Sequence, residues 1–246
     1  MKTVLTIAGS DPTCRAGVQQ DIRTLCGFGV LPLCAVTALT VQGRRGVSAV
    51  EPVKSALLEK QLDCVLKGTR PHAVKVGMLA NAGNIAALLK TIKSHKLENI
   101  VLDTVFASSS GHPLLDKKGI SAFPRLFPFA LVVTPNLSEA SIITGMKVRD
   151  INGMEKAAYF MRALGAENVL VKGGHLAGAP VDVFFDGRHF YHLSGKRLKA
   201  TDEALHGTGC MLSSAIAAGV ASGKAVLTAV AEAKVYVEGM IRLRKG

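Results

Sequence analysis

Ala130-Leu131-Val132-Val133-Thr134, running into Pro135-Asn136-Leu137-Ser138-Glu139, decides the fold. The first five residues form a short apolar, β-branched run, the pattern of a strand buried on both faces. Pro135 stops it, Asn136 is placed to cap a helix over 138–144, and Glu139 meets the positive end of that helix's dipole. The same strand-then-helix unit recurs along the chain. Runs at 3–8, 73–77, 99–105 and 168–172 read as further buried strands, and 16–27, 53–66, 80–95 and 153–164 carry amphipathic helical patterns. Parallel neighbours need a crossover between them, so the economical solution is an α/β fold with a mostly parallel central sheet and helices on both faces. The segments 181–185 and 189–193, joined at Asp186-Gly187, predict a hairpin with a tight turn. A helix after Gly209 and one over 224–242, with Val226, Val230, Val237 and Ile241 at helical spacing, close the chain. No linker, repeat or low-complexity segment divides it, so 1–246 is expected to be one domain.

Composition narrows the function classes. The chain has 246 residues, 48% of them hydrophobic and 20% charged, enough for a large core. No apolar run approaches bilayer length, and the apolar stretch before Asp11-Pro12 is too short for a signal peptide, so a cytoplasmic protein without a membrane partner is expected. Cys14, Cys26, Cys34, Cys64 and Cys210 are odd in number and lack metal-ligand spacing, which argues for reduced thiols. A net charge of +12 attracts phosphates. Its lysines and arginines are nevertheless spread out, with short clusters only at Gly43-Arg44-Arg45 and Arg242-Leu243-Arg244-Lys245. With no Trp and three Tyr there is little for bases to stack on, and no nucleic-acid partner is expected.

In open α/β sheets, ligands lie beyond the carboxyl ends of the strands. Residues that follow the predicted strands here are Gly9-Ser10-Asp11-Pro12, Gly77-Met78-Leu79, Asp103-Thr104-Val105, Thr134 to Glu139 and Lys172-Gly173-Gly174-His175. His206-Gly207-Thr208-Gly209-Cys210 opens the helix after the hairpin. Its two glycines let the backbone curl so that the amides of a first helical turn converge on an anion. Cys210 then sits at the positive end of a helix dipole, where a thiol is expected to ionise more readily; it reads as a base, a nucleophile or a small packed residue.

Taken together, the blocks LTIAGSDP (5–12), AGVQQD (16–21), VTALTVQ (36–42), KVGML (75–79), VLDTV (101–105), TPNLSEA (134–140), VKGGH (171–175) and HGTGC (206–210), with Ala233-Lys234, resemble the hydroxymethylpyrimidine and phosphomethylpyrimidine kinases of thiamin biosynthesis. These belong to the ribokinase-like superfamily, and the blocks run in family order over essentially the whole chain. The resemblance implies a three-layer α/β/α domain, ATP and Mg²⁺ as cofactors, and a homodimer. It implies transfer of the ATP γ-phosphoryl group to the hydroxymethyl of 4-amino-5-hydroxymethyl-2-methylpyrimidine, then to its monophosphate. By the same resemblance Gly207, Thr208 and Gly209 would form the anion hole, with Cys210 as base. Lys172, Lys234, Glu139 and Asn136 would serve the nucleotide, and Asp103 and Glu139 would arrange Mg²⁺ through waters. Gly9, Asp11, Ala16, Thr40, Gln42, Met78 and Val105 would receive the pyrimidine. Glu139 also reads as a dipole partner of its own helix, and Lys172 and Lys234 as surface lysines. Asp21 matches the family too, or makes a helix-surface contact.

The pattern breaks in two loops. Where the family has Ser-Gly-Gly, this chain has Thr13-Cys14-Arg15; where it often has Ala-Lys-Ser-Gly-Asp, this chain has Ser108-Ser109-Ser110-Gly111-His112. Gly43 and Leu205 replace a common Asn and Thr. Arg15 is a candidate to replace the lost lysine's charge near the transferring phosphoryl group. Two other functions fit the same residues: a pyridoxal or pyridoxine kinase, and a pyrimidine-binding protein with weakened catalysis.

Overall fold

The computed structural model describes every residue except Arg44, Arg45, His175, Ala177, Lys245 and Gly246, with the backbone alone at Asp202. Parts of both basic clusters and the last residue of the VKGGH block therefore lie outside the described residues.

Among the described residues, nine strands form one sheet: β1 (Thr3–Ser10), β2 (Leu31–Gly43), β3 (Gly46–Pro52), β4 (Ala73–Val76), β5 (Ile100–Leu102), β6 (Ala130–Val133), β7 (Asn168–Val171), β8 (Val181–Phe185) and β9 (Phe190–Ser194). Their order is β3-β2-β1-β4-β5-β6-β7-β8-β9. The run from β2 to β7 is parallel, whereas β3, β8 and β9 pair antiparallel at the edges. The chain enters at β1, then builds outward on both sides, which places a topological switch between β1 and β4.

Alternation along each strand splits the core into two layers. Leu5, Val74, Ile100, Leu102, Val133 and Val169 face a layer closed by α2 (Ser55–Leu66), α3 (Ala82–His95) and α6 (Ile151–Ala163). Val4, Val101, Val132 and Leu170 face the opposite layer, closed by α1 (Gly17–Gly27), α8 (Thr208–Ala221) and α9 (Val226–Leu243). The expected three-layer α/β/α architecture is therefore present. Short helices α4 (Lys117–Ala122), α5 (Leu137–Thr144) and α7 (Asp202–Leu205), with a 3-10 turn at Phe123–Phe129, fill the connections.

Two expectations need correction, and one hairpin was not expected at all. The β2–β3 hairpin has no clear sequence signature, because β2 beyond Leu39 pairs only with β3 and both Leu39 and Val41 are exposed, so no burial pattern marks it. The β8–β9 turn is not a two-residue Asp-Gly turn. Phe185 pairs with Phe190, leaving a four-residue loop in which the Asp186 carboxylate accepts the Arg188 and His189 amides. Finally, the stretch Glu203–Ala221 does meet the length and hydropathy of a membrane span, but two thirds of its apolar window is buried, because α8 is a core helix.

Candidate active site

Gly207 makes the turn into α8. Its φ of 78° is left-handed, and a Cβ there would lie 1.8 Å from the Arg15 carbonyl oxygen, so only glycine fits. The first helical bond runs from the Met211 amide to the Gly207 carbonyl at 3.0 Å, which leaves the Thr208, Gly209 and Cys210 amides outside the helical ladder and, among the described residues, without a side-chain cap. Three free donors at a helix N-terminus are what an anion hole requires. The Thr208 side chain has a separate task, its hydroxyl donating to the Leu205 carbonyl at 2.8 Å.

Beside this turn lies a charge pair of a buried carboxylate and a part-buried ammonium. Asp103, just past β5, accepts the Lys172 ammonium at 3.0 Å and the Thr134 hydroxyl at 3.1 Å on Oδ1, and the Ser213 hydroxyl at 3.2 Å on Oδ2. A Cβ on Gly209 would come within 3.6 Å of Lys172 Nζ and 3.9 Å of Asp103 Oδ2, so the pair abuts the turn into α8. Burial pushes the Asp103 carboxyl up, but the Lys172 and Lys75 charges outweigh it and hold the carboxyl below the usual range. Lys172 is correspondingly raised by Asp103 and Glu139 against its own burial.

Glu139 and Asn136 form a capping box: the Asn136 side chain accepts the Glu139 amide at 2.9 Å, and Glu139 Oε2 accepts the Asn136 amide at 2.7 Å. Oε2 also takes the Thr104 hydroxyl at 2.8 Å, which leaves Oε1 without a hydrogen-bond partner among the described residues. Burial drives the Glu139 carboxyl up; Lys172 opposes this, and Asp103 adds to it. Among the described residues no three His, Cys, Asp or Glu side chains cluster as a metal cage. Two carboxylates with one open oxygen suit a Mg²⁺ held largely by waters and phosphates.

Lys234 stands apart from this group. It pairs with Asp182, whose other carboxylate oxygen accepts the Gly173 amide at 2.8 Å, so it braces the loop after β7.

Met78 is buried with Ala38, Ala80 and Leu114, and Val105, Val47 and Val50 pack on them. A Cβ on Gly9 would strike Met78 Sδ at 2.7 Å, so glycine there admits the methionine. Thr40 and Gln42 project from β2 toward this cluster. The Thr40 hydroxyl donates to the Ser10 carbonyl at 2.9 Å, and Gln42 Nε2 meets His206 Nε2 at 2.9 Å. Asp11 clasps the loop after β1, accepting the Thr13 and Ala16 amides at 2.8 and 2.9 Å, the Thr13 hydroxyl, and His206 at 3.4 Å. Burial pushes Asp11 up, but hydrogen bonds from His206, Thr13 and Ala16 prevail and bring it down to about 2.

Two expectations about charge change. Burial pushes the Cys210 thiol up to about 11, so desolvation overrides the helix N-terminus that was expected to lower it; the Lys75 charge is the largest opposing influence. The Arg15 guanidinium pairs with Glu203 at the exposed rim, while its carbonyl packs on Gly207. Two participants escaped the sequence reading. His206 joins Asp11, Gln42 and Ser109, and Lys75 is wholly buried against Asp21, which is no surface residue. A lysine inside the apolar run Ala73-Val74-Lys75-Val76 was the available signal, since a buried charge demands a partner.

A doubly wound sheet with a glycine turn into a helix N-terminus and a lysine–carboxylate pair at its strand ends points to a phosphotransferase of the ribokinase-like class. The family model described as phosphomethylpyrimidine kinase matches residues 11–246, and the chain belongs to that family. It is 41% identical over 240 residues to the hydroxymethylpyrimidine/phosphomethylpyrimidine kinase of Rhizobium meliloti, covering 96% of this chain and 89% of the relative. It is likewise 41% identical over 243 residues to the thiamine biosynthesis bifunctional protein ThiED of Geobacter sulfurreducens; this covers 98% of this chain but only 49% of the relative, about half its length. The pyridoxal kinase of Staphylococcus aureus in complex with AMP-PCP and pyridoxal superposes with a TM-score of 0.87 at 34% identity, over 97% of this chain and 87% of that one.

Proposed function

We propose that this chain transfers the γ-phosphoryl group of ATP to the hydroxymethyl of 4-amino-5-hydroxymethyl-2-methylpyrimidine, and then to the resulting monophosphate, in thiamin biosynthesis or salvage. The observation that carries the proposal is the abutment of the Lys172–Asp103 pair on Gly209, within the turn that presents the Thr208 to Cys210 amides. Phosphoryl transfer asks a protein chiefly to position its reactants and neutralise the phosphoryl oxygens, and fixed amides beside a part-buried ammonium do both. Mg²⁺, arranged by Asp103 and Glu139, would add charge neutralisation at the phosphates.

The aminopyrimidine rests against Met78 and Val105, with the Gln42 amide, aimed by Thr40 and His206, offering donor and acceptor to its polar edge. The substrate hydroxyl oxygen bonds to the γ-phosphorus as the β,γ-bridging bond breaks, its electron pair leaving with ADP. Cys210 as thiolate takes the hydroxyl proton. With a pKa of about 11 the thiolate is a minor form near neutral pH but a strong base, and because such transition states are loose it is needed only late, as the bond to phosphorus completes. Lys172 meets the nucleotide phosphates directly. Lys234 supports them through the loop it braces.

Phosphorylation of pyridoxal is the second reading, favoured by the likeness to the pyridoxal kinase bound to pyridoxal. The exposed Leu39 and Val41 support a homodimer that buries the outer face of the β2–β3 hairpin, and we place the protein in the cytoplasm as a single domain. A Cys210→Ala variant tests the site: turnover falls at least about a hundredfold while pyrimidine binding persists. Wild-type turnover would remove Cys210 from the mechanism.

A further inference from the structure

We infer that Arg244, where the last helix ends, is a positioning residue for phosphoryl transfer: its guanidinium holds the His206 carbonyl and so aims the amides of the turn into α8. The inference rests on the reading of that turn as the place that receives the transferring phosphoryl group.

Three successive carbonyls lead into the turn, and each has its own donor. The Leu205 carbonyl accepts the Thr208 hydroxyl at 2.8 Å, and the Gly207 carbonyl accepts the Met211 amide at 3.0 Å. Between them the His206 carbonyl accepts Arg244 Nη1 at 2.9 Å. The first two donors are close neighbours in the chain, whereas Arg244 lies 38 residues on, at the end of α9. Its other arm, Nη2, donates to Gln20 Oε1 at 2.9 Å, and the buried Gln20 amide donates in turn to Thr24 Oγ1 at 2.9 Å. One guanidinium thus ties the turn to both α1 and α9. A planar fork with two bonds fixes direction as well as distance.

What it holds is the peptide between His206 and Gly207. A peptide is planar, so fixing its carbonyl also fixes the direction of the Gly207 amide and the plane from which the turn begins. Gly207 is the pivot, left-handed at φ 78° and with no side chain to limit its rotation. The Arg15 carbonyl closes the space beside it by packing alone. Arg244 supplies the bond. The His206 ring is held separately by Gln42 and Asp11, so release of the carbonyl would leave the pyrimidine side in place.

Stability does not account for this placement. Both bonds go to uncharged oxygens, and partial burial with the nearby Arg23 and Arg15 charges pulls the guanidinium pKa down. Water would satisfy a half-exposed carbonyl at less cost. A fixed cation is favoured where the adjoining amides take up an anion. The role also absorbs part of the basic cluster Arg242-Leu243-Arg244-Lys245, which the kinase reading left without a task.

The test is steady-state kinetics on Arg244→Met and Arg244→Lys, with Arg242→Met as the control that removes one exposed charge from the same helix. Acceptor-dependent ADP formation, acceptor affinity by isothermal calorimetry and Tm are measured on each. The expected kcat is about ten- to a hundredfold below the parent in Arg244→Met, the scale of misplaced reacting groups. In Arg244→Lys it is about three- to tenfold below, because a single ammonium cannot fork to both oxygens. Acceptor Kd stays within about twofold of the parent, since the loss falls on the transition state. Both variants remain folded at the assay temperature, and Arg242→Met keeps the parent kcat. Parent kcat in either folded Arg244 variant would overturn the inference. An equal fall in Arg242→Met, or a fall no larger than the lost folded fraction, would overturn it too. If the parent forms ADP with neither a pyrimidine nor pyridoxal, the reading of the site fails and the inference with it; if the parent is active and the folded Arg244 variants match it, the inference alone fails.

Discussion

The Arg15 carbonyl oxygen occupies the space that a side chain on Gly207 would need, 1.8 Å from where its Cβ would lie. The loop after β1 and the anion-hole turn are thus fitted backbone to backbone, across nearly the whole sequence. Gly207→Ala combines that clash with a left-handed φ, so one side must move, and the amides lose their aim. The expected result is a kcat about a hundred- to a thousandfold lower with pyrimidine affinity nearly kept, since a misplaced donor costs mainly the transition state. Steady-state kinetics with isothermal binding checks this.

Lys172→Met leaves Asp103 buried without its ammonium. The Asp103 carboxyl, now held low chiefly by Lys172, then rises toward protonation. A depressed carboxylate contributes stability above its unfolded pKa and loses it as pH falls through the folded one. Loss of Lys172 therefore moves the acid limb of the kcat/KM profile to higher pH, beyond any fall in its plateau. An acid limb that stays in place would separate the pair from the reaction.

Asp11 provides a test in stability alone. Its carboxyl lies at about 2 in the folded protein against an ordinary 3.8, so the loop clasp contributes about 2 kcal/mol above pH 3.8, lost as pH falls toward 2. Asp11→Asn is expected to lower Tm at pH 6, with the gap to wild type closing in acid. Thermal unfolding across that window measures it.

Cys14 is one of few non-glycine residues with a left-handed backbone, at φ 58°. A family glycine in this loop would adopt that conformation without strain. Cys14→Gly is expected to raise stability by up to about 1 kcal/mol, the relief of left-handed strain less the added chain entropy of glycine. Chemical denaturation reads it directly.

What the sequence made legible follows from periodicity. The five buried strands and their helices were readable because apolar runs alternate with helical faces, and α5 came with its cap spelled out at Asn136 and Glu139. The β2–β3 hairpin was opaque because its outer half is stabilised by pairing with β3 rather than by burial. At the site, residue types at strand ends marked Asp103, Lys172 and the Gly207 turn, but not their partners. That Lys172 binds Asp103, that Lys234 binds Asp182, and that Cys210 is desolvated enough to reverse its expected shift are facts of packing between distant segments. Local sequence carries no trace of them.

The most direct measurement is Mg²⁺-dependent ADP formation from ATP, with hydroxymethylpyrimidine, its monophosphate and pyridoxal offered separately as acceptors. The predicted result is turnover on both pyrimidines, each lost in Cys210→Ala. Turnover on pyridoxal alone, or on none of the three, would contradict the account.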